Sequence, residues 1–233
     1  MVITIEMLRE NNPWWLDPGA IEEDPYIREA EASPLQWRPA ILGEFSLGEP
    51  LVYTLRGPRQ VGKTTLVKLL IRRLLHEGPA PHRILYLSLD LISDPEDLAA
   101  AVRLWGRLFP GEVSPRWIFF DEISRVRDWQ RAVKYLRDTG LAADDFLLLT
   151  GSSASDIRRG AERLPGRRGK GERLDKVLWP LSFTEFIQVA RKEIPLPEKR
   201  LTLEEFLSSD AVPVLEQTML WLPDMEQARN YGG

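Results

Sequence analysis

The sequence has no cysteine and only two histidines, His76 and His82, in 233 residues. The first absence excludes a disulfide framework, a thiolate metal site and a cysteine nucleophile together. The second leaves too little imidazole for a histidine zinc site or a Ser-His-Asp triad. No apolar run approaches the roughly 18–20 residues that a membrane-spanning helix needs. Met1 to Leu8, followed by Arg9 and Glu10, lacks the basic, apolar and small-residue order of a secretory leader. These absences point to a cytoplasmic protein without membrane insertion. An excess of basic charge is missing too. Lys and Arg number 31 against 35 Asp and Glu, a net charge of −4, so the global balance gives no reason to expect nucleic acid.

What is present fits a globular chain: 43% hydrophobic and 28% charged residues, with length for one to two domains and a sizeable core. Residues 1–50 are rich in Pro, Trp and acidic side chains. Periodicity there is weak, and short helices and loops leaning on the following domain are expected, with Trp14, Trp15 and Trp37 as packing anchors. From Leu51 the pattern changes. Leu51 to Leu55 reads as a buried strand that ends at Gly57. Leu66, Val67, Leu70, Ile71, Leu74 and Leu75 recur at helical spacing up to Gly78-Pro79. Ile84 to Asp90 reads as a second strand. Asp94-Pro95 starts a helix whose apolar face runs from Leu98 to Phe109. Trp117 to Phe120 is a third strand, Asp128 caps a helix carrying Trp129, Val133 and Leu136, and Phe146 to Leu149 is a fourth strand. Val177 to Pro180 is a plausible fifth. Apolar strands alternating with helices imply parallel βαβ units covered on both faces. Beyond Leu181 the chain reads as helical and acidic.

Gly57-Pro58-Arg59-Gln60-Val61-Gly62-Lys63-Thr64 matches G-x-x-x-x-G-K-[ST], the phosphate-binding loop, between a strand and a helix. Successive backbone N–H groups wrap a β-phosphate, because glycine allows close approach and unusual dihedrals. The following helix start favours the anion. Lys63 places a point charge between β- and γ-phosphates, and the Thr64 hydroxyl is a ligand for Mg²⁺. Phe119-Phe120-Asp121-Glu122 ends a buried strand on the same side of a parallel sheet. Asp121 is placed to hold Mg²⁺ through the ion's water shell, and Glu122 to polarise a water for attack on the γ-phosphorus. Thr150-Gly151-Ser152-Ser153 follows another strand. Ser152, with Thr150 as its rival, is placed to hydrogen-bond the γ-phosphate or the attacking water. Residues 157–173 carry Arg158, Arg159, Arg163, Arg167, Arg168, Lys170 and Arg173 against Glu162 and Glu172. That charge run reads as a solvated surface, as an arginine reaching a γ-phosphate in the same or a neighbouring subunit, or as a contact to a nucleic-acid backbone. Arg167 is the candidate for the arginine.

The phrases Leu55 to Thr65, Phe120-Asp121-Glu122-Ile123, Leu149 to Ser153 and Pro180 to Phe186 resemble the prokaryotic AAA-superfamily ATPases over about residues 40–190. The resemblance is to the branch in which such a domain precedes a C-terminal helical, winged-helix-like or nuclease-like region. It implies an α/β P-loop NTPase three-layer sandwich with a parallel sheet of order 5-1-4-3-2, and ATP with Mg²⁺ as ligands. It also implies cofactor-binding roles for Gly57 to Thr65 (Gly57, Pro58, Arg59, Gln60, Val61, Gly62, Lys63, Thr64 and Thr65), metal roles for Thr64 and Asp121, and catalytic roles for Lys63 and Glu122, with Ser152 as a sensor-like residue. The expected organisation is an arm over residues 1–45, the ATPase domain over 46–187, and a helical segment over 188–233. The last reads as the start of a C-terminal region cut short at Tyr231-Gly232-Gly233. The function expected is ATP hydrolysis, with an ATP-gated switch or a DNA-associated regulatory module of little turnover as the alternative. A homo-oligomer or protein partner stays open.

Overall fold

The computed structural model describes residues 3–33, 38–111 and 115–182, together with 185, 186 and 189. Trp37 and nearly all of the expected helical segment lie outside the described residues. Residues 1–182 make one compact unit.

In that unit helix α1 (Ile5–Asn11) and helix α2 (Pro25–Ala32), with short 3-10 turns between them, lie in the segment before the first strand, called the arm below. Then come β1 (Val52–Arg56), α3 (Lys63–Glu77), β2 (Ile84–Ser88), α4 (Pro95–Leu108), β3 (Trp117–Asp121), α5 (Trp129–Asp138), β4 (Phe146–Gly151), α6 (Ala154–Glu162) and β5 (Asp175–Val177). The strands pair in parallel in the order β2-β3-β4-β1-β5. Read from the other edge this is 5-1-4-3-2, the order that the family resemblance implies.

Strands β1 to β4 are buried on both faces, and their side chains alternate between two cores as a pleated strand requires. Leu85, Leu87, Ile118, Phe120, Leu147 and Leu149 face one core with α4 and α5. Ile84, Tyr86, Trp117, Phe119, Phe146 and Leu148 face the other with Leu66, Val67, Leu70, Ile71 and Leu74 of α3. Helices on both faces give three layers, and the fold is an α/β P-loop NTPase.

Three local expectations change. The fifth strand is Asp175–Val177, two residues earlier than the apolar run suggests. Thr54, Leu55 and Arg56 of β1 pair with it, so a strand of exposed, buried and half-buried residues forms where neighbouring main chain is available. Leu178 still hydrogen-bonds Arg56 O through its N–H, at 2.8 Å. Asp94 precedes α4 without a side-chain cap bond. Asp128 precedes α5 in the left-handed region, also without one. Charge near the helix dipole, not an oxygen on an N–H, is what these two acids supply.

Candidate functional site

At the carboxyl end of β1 the chain turns through Gly57 and enters α3 at Lys63. Gly62 caps that helix in the left-handed region, φ 93 and ψ 24, and Gln60 is left-handed too, at φ 60. Such turns point successive N–H groups to one side and build an anion-binding concavity. The first α3 N–H groups, at Lys63, Thr64 and Thr65, lie outside the helix's own hydrogen-bond ladder and add to it. Gly57 is tightly enclosed: a Cβ there would meet Leu178 O at 2.5 Å and Val61 Cγ1 at 3.0 Å. The loop opens on a cleft of about 770 Å³, with Gln60 to Leu66, Leu69, Glu122, Leu178 and the arm residues Tyr26, Glu29, Ser33 and Pro39 around it.

The charged groups of the cleft are already connected. Lys63 Nζ donates to Gly57 O at 3.1 Å and Pro58 O at 2.9 Å. It also lies 3.6 Å from Glu122 Oε1. Thr64 Oγ1, from the first turn of α3, donates to Asp121 Oδ2 at 2.7 Å. Thr150 Oγ1, from β4, donates to Asp121 Oδ1 and accepts from Glu122 N at 3.0 Å. Glu122 is left-handed, φ 58 and ψ 46, a conformation that costs a non-glycine residue about 1–2 kcal/mol. Its Oε2 accepts from Ser152 N at 3.2 Å and Ser152 Oγ at 3.1 Å. Lys63, Thr64, Asp121, Glu122, Thr150 and Ser152 thus form one contact network at the carboxyl end of the sheet. The two serine-threonine rivals take different partners, Thr150 the aspartate and Ser152 the glutamate.

Arg167 is elsewhere. Its Nε and Nη2 donate to Asp138 at 2.7 and 3.1 Å, and this pairing lowers the Asp138 carboxyl and raises the guanidinium. Beside it, Arg168 O accepts from Val52 N at 3.0 Å, the first residue of β1. The phosphate loop follows the last residue of that strand, so Arg167 lies at the opposite sheet end, separated by about 13 Å of strand. An arginine from this position completing the cleft of the same chain is therefore not what the fold brings together. Three basic side chains of the 157–173 segment are paired, Arg158 with Glu162 inside it, and Arg167 with Asp138 and Arg168 with Asp175 outside it.

Sequence reasoning missed the residues behind Asp121. Tyr86 OH donates to Asp121 Oδ2 at 3.2 Å, and burial pushes its phenol well up, with the Asp121 charge adding to the effect. Lys68 Nζ sits 3.8 Å from the centre of the Tyr86 ring and 3.0 Å from Asp24 Oδ2 on the arm. Burial pulls the Lys68 ammonium down, and Asp24 works against that pull. A usable signal was Asp24-Pro25, an acceptor followed by proline at the first helical position.

The donor set suits a hard divalent ion. The Thr64 hydroxyl and Asp121 carboxylate are both oxygens, and Mg²⁺ takes one or two protein oxygens while keeping several waters. Among the described residues, no group of three or more His, Cys, Asp or Glu could hold a metal by itself. No described helix is long and apolar enough to cross a membrane.

Residues 49–187 match the family described as an AAA domain. Solved structures similar to the chain include Cdc6p from Pyrobaculum aerophilum, at 15% identity and TM-score 0.42, over 69% of this chain and 48% of that one. The Aeropyrum pernix Orc1 protein in complex with DNA is similar at 17% identity and TM-score 0.45, over 86% of this chain and 56% of that one. PCH-2 of C. elegans is similar at 14% identity and TM-score 0.38, over 78% and 45%. The chain spans about half the length of these structures. Among curated proteins none matches the chain.

Proposed function

The chain belongs to the AAA domain family of P-loop ATPases, and from that premise we propose that it binds ATP with Mg²⁺ in the cleft after β1 and hydrolyses it. One observation carries the reading: the Thr64 hydroxyl and the Asp121 carboxylate meet at 2.7 Å beside the free first turn of α3. In this reading the loop N–H groups from Gly57 to Thr65 cradle the phosphates. Lys63 leaves the Gly57 and Pro58 carbonyls and follows the γ-phosphate. Thr64 and Asp121 hold the ion, which when bound neutralises charge on the phosphoryl oxygens. Glu122 orients a water and takes its proton at a carboxylate oxygen. Positioning and charge neutralisation supply most of the rate in such chemistry.

Titration calorimetry with ATP and Mg²⁺, followed by steady-state phosphate release, tests this. Binding that is lost in Lys63→Ala, with turnover above background in the wild type, is the expected result. Equal ATP affinity in the two proteins would refute the assignment of the loop.

A second reading has its own observation. Glu122 Oε2 accepts from both the N–H and the hydroxyl of Ser152, so one of its two carboxylate oxygens is already engaged before any water arrives. A chain that binds ATP and stays in this arrangement is a nucleotide-gated switch with little turnover. Phosphate release near the uncatalysed background, with binding intact, selects the switch. With Arg167 on Asp138, a second copy or a partner is one source of an arginine for the transferring phosphoryl group. Specific activity that rises with protein concentration supports that source.

A further inference from the structure

We propose that Tyr86 is a positioning residue for Asp121, and that the arm, through Asp24 and Lys68, sets how well the site takes its divalent ion. The inference rests on Thr64 and Asp121 being the ion-holding pair.

Tyr86 is held from every direction. Its hydroxyl donates to Asp121 Oδ2 at 3.2 Å. The Lys68 ammonium lies 3.8 Å above its ring centre, and Trp14 meets the ring edge-on at 6.4 Å between centroids. Its main chain is bound on both sides by the Asn12 side chain. Lys68 is only 5% exposed, and a charge that deep needs a partner. Asp24 provides it with Oδ2 at 3.0 Å, while Oδ1 caps α2 at Tyr26 N, 3.0 Å away. The ammonium attracted to its π face and Trp14 at its edge favour the ring orientation that delivers the hydroxyl to Asp121.

The oxygen it reaches is the one that accepts from Thr64, and Thr150 takes the other. Both carboxylate oxygens are therefore oriented before any ion arrives. Hydrogen bonds to a ligating carboxylate fix its direction, and losing one typically costs about 10–100-fold in metal affinity or activity. A contact path thus runs from Asp24 on the arm through Lys68, Tyr86 and Asp121 to Thr64 at the loop.

The test uses the full chain saturated with ADP, with Mn²⁺ as probe and the free ion read by electron paramagnetic resonance. Tyr86→Phe keeps the ring and its packing and loses only the hydroxyl. Asp24→Asn keeps an oxygen for the α2 cap and loses the charge that holds Lys68. Both are expected to bind Mn²⁺ more weakly, Tyr86→Phe by about tenfold, while ADP affinity measured in EDTA stays at the wild-type value. In turnover, Tyr86→Phe should recover rate as Mg²⁺ is raised, with KM for ATP unchanged. Mn²⁺ bound as tightly as in the wild type, or more tightly, in either variant overturns the proposal. A wild type that binds ADP in EDTA but takes up no Mn²⁺ also overturns it. A wild type that binds no nucleotide refutes the proposed function first and this inference with it.

Discussion

The Asn12 carboxamide pairs with the main chain of Tyr86 on both sides, Oδ1 accepting from Tyr86 N at 2.6 Å and Nδ2 donating to Tyr86 O at 2.9 Å. Among the described residues strand β2 is an edge of the sheet, so these groups face away from its neighbour β3. Asn11 Oδ1 accepts from Ser88 N at 3.1 Å. Trp15 Nε1 and Trp14 Nε1 both donate to Ile84 O, at 2.8 and 3.3 Å. The outward row of donors and acceptors that an open edge would offer another chain is occupied by four side chains of one short segment. The same segment fixes Tyr86, and through its hydroxyl the arm meets the carboxylate of the site.

Asn12→Ala should therefore be costly. Asn12 is fully buried, and its loss leaves Tyr86 N and O without partners in a dry place, at about 1–3 kcal/mol for each group. Equilibrium urea unfolding is expected to show a loss of about 2–6 kcal/mol as a lower midpoint with an unchanged slope. An unfolding free energy equal to the wild type's would mean that water takes over both groups.

At the site itself, Lys63→Ala and Glu122→Gln should separate binding from turnover. The Lys63 ammonium lies 3.6 Å from Glu122 Oε1, and in the proposed function it moves to the phosphates. Its removal is expected to abolish ATP binding in calorimetry. Glu122→Gln keeps the shape and the Ser152 bonds available, so ATP affinity should hold while phosphate release falls by about 10²–10⁴-fold. Turnover retained in Glu122→Gln would show that another group orients the water.

How much of this was readable in the sequence depends on what each residue's neighbours in the chain reveal. Four strands and the loop were readable, because buried parallel strands are continuous apolar runs and the loop has fixed spacing. Strand β5 was misplaced because Lys176 is buried through its pair with Glu44, at 2.7 Å, and looks like a surface charge. Lys68 hid in the same way inside α3, since the groups that keep it charged come from the arm, 44 residues earlier. The roles of Asn11 and Asn12 were not readable, because the edge that they close is formed by residues 84–88. The position of Arg167 was not readable: the segment's composition shows its charge, while the Asp138 partner is known only once α5 and the segment meet.

Gly160→Ala tests the packing of α6 against α5. Alanine normally favours a helix interior over glycine by about 1 kcal/mol, so a free position would gain stability. Here a Cβ would lie 2.2 Å from Trp129 Cζ2 and 2.6 Å from Cε2, and that ring is 1% exposed with Nε1 donating to Asp156 Oδ2 at 3.3 Å. Overpacking of about 1–3 kcal/mol outweighs the helix gain. The expected result is a lower thermal midpoint and altered tryptophan emission. A higher midpoint would mean that α6 shifts freely away from the ring.

Asp175→Asn should remove part of the acid sensitivity of the fold. Asp175 Oδ1 accepts from Thr54 Oγ1 at 2.6 Å and Oδ2 from Arg168 Nη1 at 2.9 Å. These bonds tie β5 and the basic segment to β1. Burial pushes the Asp175 carboxyl up, but the Arg168 and Thr54 hydrogen bonds outweigh it and hold it below the ordinary aspartate value. A carboxyl lowered in the folded state binds its proton more readily when the chain unfolds. Its stabilisation is thus complete above the unfolded value and is lost as pH falls through the folded one. The thermal midpoint of the wild type should exceed that of Asp175→Asn by a constant margin between about pH 7 and pH 5. The margin should then shrink as pH drops below the ordinary aspartate value. Other carboxylates titrate in the same window, so the difference between the two proteins is the quantity to read. A margin that widened on acidification would reverse the direction assigned to Asp175.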